Sequence, residues 1–127
     1  MATDGSSYAT TALTTAGRLL TRTNNRFDVV CVVPEFQSVS KKTDRESGKK
    51  WRSEYYDYMQ QNAGVVLKRA SEVLQAEGIA SHVFAKTGSA SDVLVRLGED
   101  YDVVVVGAHS RAERAGPGLG PIASRIV

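Results

Sequence analysis

Two runs decide the fold: Asp28-Val29-Val30-Cys31-Val32-Val33, closed by Pro34, and Asp102-Val103-Val104-Val105-Val106, closed by Gly107. Each is β-branched and apolar without alternation, the pattern of strands covered by helices on both faces of a parallel sheet. A weaker strand, Ser81-His82-Val83-Phe84-Ala85-Lys86, lies between them. Helical periods fill the gaps. Ala9, Leu13, Ala16, Leu19 and Leu20 recur after a capping Ser6 or Ser7. Met59, Ala63, Val66, Leu67, Ala70, Val73 and Leu74 step along one face until Gly78, which suits a left-handed helix end. A third helix is expected from a capping Ser89 to Gly98, with Val93, Leu94 and Leu97 inward and Asp92 at its positive end. The polar, lysine-rich residues 37–52 carry no apolar period and read as an exposed loop. Alternating strands and helices predict an α/β layered fold with a mostly parallel sheet.

The 127 residues are one domain's worth. With 42% hydrophobic and 24% charged residues, the composition is globular rather than disordered. The single Cys31 excludes an internal disulfide framework and a cysteine-rich zinc site, and in a buried strand it reads as a small hydrophobe. A net charge of +2 makes no case for binding nucleic acid. The longest apolar runs, four to six residues, fall far short of the ~18 that would suggest a membrane span. The start, Met1-Ala2-Thr3-Asp4-Gly5, lacks a basic region followed by an apolar core. The expectation is an intracellular, cytoplasmic protein.

In open α/β sheets, ligands bind beyond the carboxyl ends of the strands. Those ends carry Thr3-Asp4-Gly5, Val33-Pro34-Glu35, Thr87-Gly88-Ser89 and Gly107-Ala108-His109-Ser110, the last leading into the glycine-rich residues 111–121. Glycine lets backbone approach phosphate, and the free N–H groups of a following helix point at it. A loop that merely turns the chain looks the same. Neither a phosphate loop ending in Gly-Lys-Ser/Thr nor a Gly-x-Gly-x-x-Gly is present. No nucleophilic triad, metal cluster or acid–base carboxylate pair can be assembled, so no enzyme is expected.

Ala2-Thr3-Asp4-Gly5-Ser6, Val32-Val33-Pro34, Val104-Val105-Val106-Gly107-Ala108-His109, Leu119-Gly120 and Ala123-Ser124-Arg125-Ile126-Val127 together resemble the universal stress protein family, over nearly the whole chain. The resemblance implies a Rossmann-like open parallel sheet flanked by helices, of order 3-2-1-4 with the chain start counted as the first strand. It implies one domain, residues 1–127, with that first strand shortened and the family's fifth strand absent. An open sheet edge invites pairing. A protein partner or a homodimer is therefore expected there, with Trp51, Tyr55, Tyr56 and Tyr58 as a second contact surface. Core packing is the other reading of those aromatics.

Family members that bind ATP carry Gly-x-x-Gly, nine residues, then Gly-Ser/Thr. Here Gly107-Ala108-His109-Ser110 is followed by nine residues, 111–119, and Gly120-Pro121. The spacing is intact, but Ser110 replaces the second glycine and Pro121 the hydroxyl residue. If position 110 needs a left-handed backbone, serine costs roughly 1–2 kcal/mol there, though its hydroxyl can donate to phosphate. Pro121 removes a hydroxyl and an N–H from the cradle, and equally suits the first turn of a helix. Arg111 and Arg114 offer electrostatic compensation, or are merely solvated.

The resemblance also places Thr3 and Asp4 beside the adenine or ribose, Val32 against the adenine, His109 in the loop and Ser124 near phosphate. Each has a plainer reading: Asp4 and Ser124 as helix caps, Val32 as core, His109 as structural. His109 is the one candidate base for slow ATP hydrolysis. The implied ligand is ATP or AMP, bound weakly, with Mg accompanying ATP. The implied role is stress response or signalling. The alternative is a scaffold of the same fold that binds no nucleotide and docks in a larger assembly.

Overall fold

The computed structural model describes residues 1–21, 24–35, 45–110 and 117–127, the side chains of 45–51 excepted. In chain order the elements are α1 (Ser7–Leu20), β1 (Phe27–Val33), α2 (Arg45–Ala76), β2 (Ser81–Thr87), α3 (Ala90–Gly98) and α4 (Pro121–Ile126). β1 and β2 pair in parallel, from Phe27 opposite Ser81 to Val33 opposite Thr87. The other edge of β1 is taken by the chain start. The Thr3 N–H donates to the Val30 carbonyl, and the Val30 N–H donates to the Met1 carbonyl, each at 2.9 Å. The fold is thus α/β, with a parallel sheet flanked by helices.

The core lies on one face of β1. Val29, Cys31 and Val33 pack with Ala63, Val66, Leu67, Ala70 and Leu74 of α2 and with Leu13 of α1. α1 opens on Ser6, whose hydroxyl accepts the Ala9 N–H at 3.2 Å. α2 closes in a two-bond turn: the Ile79 N–H reaches the Leu74 carbonyl and the Gly78 N–H reaches the Gln75 carbonyl. Gly78 sits there at φ +77°, where a glycine carries no Cβ penalty.

Several expectations are corrected. Residues 103–106 form no strand: among the described residues the sheet is β1–β2, so the four-strand order 3-2-1-4 is not confirmed. The Val105 carbonyl accepts the Ala2 N–H at 2.9 Å, but Val103 and Val104 are 57% and 37% exposed. A valine run is buried only where the elements on both sides of it supply partners. Helix α2 begins at Arg45, inside the stretch read as a loop. Its first buried side chain among the described residues is Ala63, and a helix shows an apolar period only where it meets a core. Residues 37–44 of that expected loop lie outside the described residues. Leu19 is 75% exposed, on the face of α1 away from the core. Ser89 stands at the start of α3, but its hydroxyl meets the Ser91 hydroxyl at 3.3 Å and caps no N–H.

At the opposite end of β1 from its Pro34 stop, the buried Asp28 carboxylate accepts the Tyr101 hydroxyl at 2.6 Å and Arg26 Nε at 2.9 Å. Burial pushes this carboxyl up, but the hydrogen bonds from Tyr101 and Arg26 outweigh it and hold the group below the usual carboxylate range. Tyr101→Phe should therefore cost about 1–2 kcal/mol at neutral pH. Because the folded-state pKa is depressed, this stabilisation is present above the unfolded value of about 3.9 and is lost as pH falls through the folded one. Urea unfolding of both proteins from about pH 7 to about pH 3 checks it. The gap should be open at neutral pH and close on acidification; a gap independent of pH would contradict it.

Candidate functional site

A cleft with an internal volume of about 90 Å³, open to solvent on one side, lies beyond the carboxyl end of β1. Its floor is Val30 and Val32 of β1 with Ala2, Thr3 and Asp4 of the chain start. Ala90 and Leu94 of α3 form one wall, and Ile122 and Ala123 of α4 another. Ala9 of α1 with Val106, Gly107, Ala108, His109, Ser110 and Gly120 complete the lining. The surround is mostly apolar, with a few converging polar groups, as small-molecule sites usually are.

Each polar group is placed by a local device. Thr3 is buried, and its Oγ1 accepts the Gly5 N–H at 3.1 Å. Asp4 Oδ1 accepts the Ser6 N–H at 2.9 Å, so Asp4 braces the turn into α1 while Ser6 makes the cap. Gly5, at φ +79°, makes that turn possible. Val32 is the one residue of β1 that is not fully buried, because it faces the cleft. A Cβ on Gly107 would lie 2.9 Å from the Ala9 nitrogen and 3.0 Å from the Tyr8 carbonyl carbon. Only glycine lets this loop close against the first turn of α1. The His109 ring meets the Tyr8 ring edge-on, with centroids 5.2 Å apart.

Ser110 lines the cleft without strain, since no described residue other than glycine has a positive φ. The penalty attached to serine at this position does not arise. The Gly120 N–H donates to the Ala108 carbonyl at 2.7 Å, which ties α4 to the loop. Pro121 is exposed at the first position of α4, beside the lining. Ser124 also lies outside the lining, and its hydroxyl donates to the Leu119 carbonyl at 3.2 Å. Arg111 and Arg114 lie outside the described residues. The structure thus brings Thr3, Asp4, Val32, Gly107, His109, Ser110 and Gly120 together.

The wall residues that sequence reasoning leaves out of the site are Ala90, Leu94, Ile122 and Ala123, because apolar helix residues read as core. Among the described residues, no group of three or more His, Cys, Asp or Glu side chains could hold a metal ion. No described helix is long and apolar enough to cross a membrane.

The sequence matches the family model described as the universal stress protein family over residues 1–127. The solved structures that share the fold include two that cover nearly all of this chain. One is hypothetical protein MJ0577, the subject of a structure-based assignment of biochemical function. It is 19% identical with a TM-score of 0.78, over 98% of this chain and 83% of that one. The other is a universal stress protein in complex with cAMP, 24% identical with a TM-score of 0.66, over 99% of this chain and 86% of that one. At these identities the likeness is one of fold. No curated protein sequence matches the chain.

The close approach at Gly107 gives a direct test. Gly107→Ala must displace the backbone of α1's first turn and should cost about 1–3 kcal/mol, as overpacking does. Denaturant unfolding reads the loss. A neutral substitution would show that the loop does not bear on α1.

Proposed function

This chain belongs to the universal stress protein family, and we propose that its cleft binds an adenine nucleotide, ATP or AMP, in a stress-response or signalling role. The observation that carries this reading is the convergence of Thr3, Asp4, Val32, Gly107, His109, Ser110 and Gly120 on one largely apolar cleft. These residues come from stretches far apart in the chain. A purine suits such a lining, having apolar faces and polar edges. The structural neighbour in complex with cAMP carries a ligand of the same chemical class.

In this reading Val32 and Leu94 take the faces of the base. Thr3 and Asp4 serve its polar edge or the ribose hydroxyls. Gly107, His109, Ser110 and Gly120 stand on the phosphate side, with Arg111 and Arg114 supplying positive charge. Pro121 offers no N–H next to Gly120, which makes the phosphate grip weak. Magnesium would arrive with ATP on its phosphates, since such ions usually keep few protein ligands. The role is binding, without assigned catalysis.

Calorimetric titration with ATP and AMP at millimolar concentration tests the proposal. Dissociation constants on the order of 1 mM are expected. Pro121→Ser should tighten ATP about fivefold by restoring a donor. Ser110→Gly should add nothing, as there is no strain to relieve. Absence of heat with both nucleotides would overturn the reading.

A second reading, contact with a protein partner or a second copy of the chain, is favoured by the exposure of Val103, Val104 and Tyr58. Tyr58 lies on α2 beside Tyr55 and Tyr56, whose rings stand edge-on at 6.1 Å. The Trp51 side chain lies outside the described residues. Exposed apolar side chains grouped on a surface suit contact with a partner. Light scattering should show self-association at high concentration, relieved by Val104→Lys. A monodisperse monomer would count against self-association through these residues.

A further inference from the structure

The elements around the cleft are joined in unlike ways. β1 and the chain start share backbone hydrogen bonds. The loop at 107–110 is pressed on α1 at Gly107 and tied to α4 through the Gly120 N–H. The joint between α4 and α3 is different, because among the described residues its polar part is one exposed side chain. Arg125 of α4 sends Nη1 to the Ser91 hydroxyl at 2.8 Å and Nη2 to the Asp92 carboxylate at 2.5 Å. Both partners lie in the first turn of α3, where a carboxylate is also favoured by the helix end.

α4 carries Ile122 and Ala123, the cleft wall that faces Ala90 and Leu94 of α3. We infer that Arg125 is the latch of the cleft: a positioning residue whose forked contact with Ser91 and Asp92 holds the α4 wall against α3. Arginine's planar fork suits a two-partner contact. Arg125 and Asp92 are 58% and 52% exposed, so the contact is one of modest strength that can open and reclose. Opening it moves the wall without breaking the backbone bonds of β1, which run to β2 and residues 1–3. The latch stands on these contacts alone; its effect on nucleotide affinity rests on the function proposed above.

Hydrogen exchange tests the latch without any ligand. The amides of Ser124 and Val127 donate within the α4 turn, to Gly120 and Ala123. In Arg125→Ala they should exchange roughly three- to fivefold faster, with β1 amides unchanged. Asp92→Asn probes the same joint from α3 and serves if Arg125→Ala loosens the whole chain. The exchanged pair Asp92→Arg with Arg125→Asp should recover part of the protection, since it restores the ion pair against the preference of both helix ends. Unchanged α4 exchange in both single variants would overturn the latch. Titration with AMP should show affinity falling about threefold in Arg125→Ala and recovering in part in the exchanged pair. Equal AMP affinity in wild type and Arg125→Ala, with faster α4 exchange, would overturn the positioning role. No AMP binding by the wild type, with α4 exchange responding as expected, would sink the nucleotide reading and leave the latch intact.

Discussion

A strand buried on both faces must have its backbone satisfied along both edges, because an unpaired N–H or C=O inside a protein costs what a lost hydrogen bond costs. β1 is such a strand: all of its residues but Val32 are buried. β2 satisfies one edge in parallel register. The other edge is left to residues 1–3, which have no helix of their own and are held in place by β1. This obligation sets the site. Laying the chain start along β1 brings Thr3 and Asp4 to the strand's carboxyl end, and the turn at Gly5 then sends α1 away from it. The polar groups of the cleft are thus a by-product of closing the sheet.

The two valine-rich runs show how far sequence pattern reaches. Residues 28–33 and 102–106 look alike, and the first is a buried strand as expected. The second is irregular chain bonded to Ala2 through Val105, with two valines left partly exposed. A run of β-branched residues announces that a segment wants covering; it cannot say what covers it. The start of α2 shows the opposite limit. Apolar periodicity marks the stretch from Met59 to Leu74, where the helix meets the core. Residues 45–52 of the helix carry no such mark and read as part of a loop.

The site is legible where it rests on backbone and invisible where it rests on packing. Glycines and short polar residues at strand ends point to Thr3, Asp4, Gly107, His109, Ser110 and Gly120, and all six line the cleft. Sequence could not tell that Ser110 sits in an ordinary backbone region, because that depends on the path of the loop. Nor could it separate Ala90, Leu94 and Ile122 from core, since an apolar side chain facing a cleft and one facing a helix have the same composition. Ser124 is the converse. Its hydroxyl looks available in the sequence, yet it turns back to its own chain at Leu119.

The alternation of β1 divides labour between its two faces. Val29, Cys31 and Val33 belong to the core shared with α2, whereas Val30 and Val32 floor the cleft. Substitutions on opposite faces of a strand share few partners, and effects at sites without shared partners tend to add. A lineage could therefore drift in what the cleft accepts, through position 32, without spending stability stored at 29, 31 and 33. The same strand lets the domain keep its architecture while its ligand changes, and a comparison of relatives should find the two faces evolving at different rates.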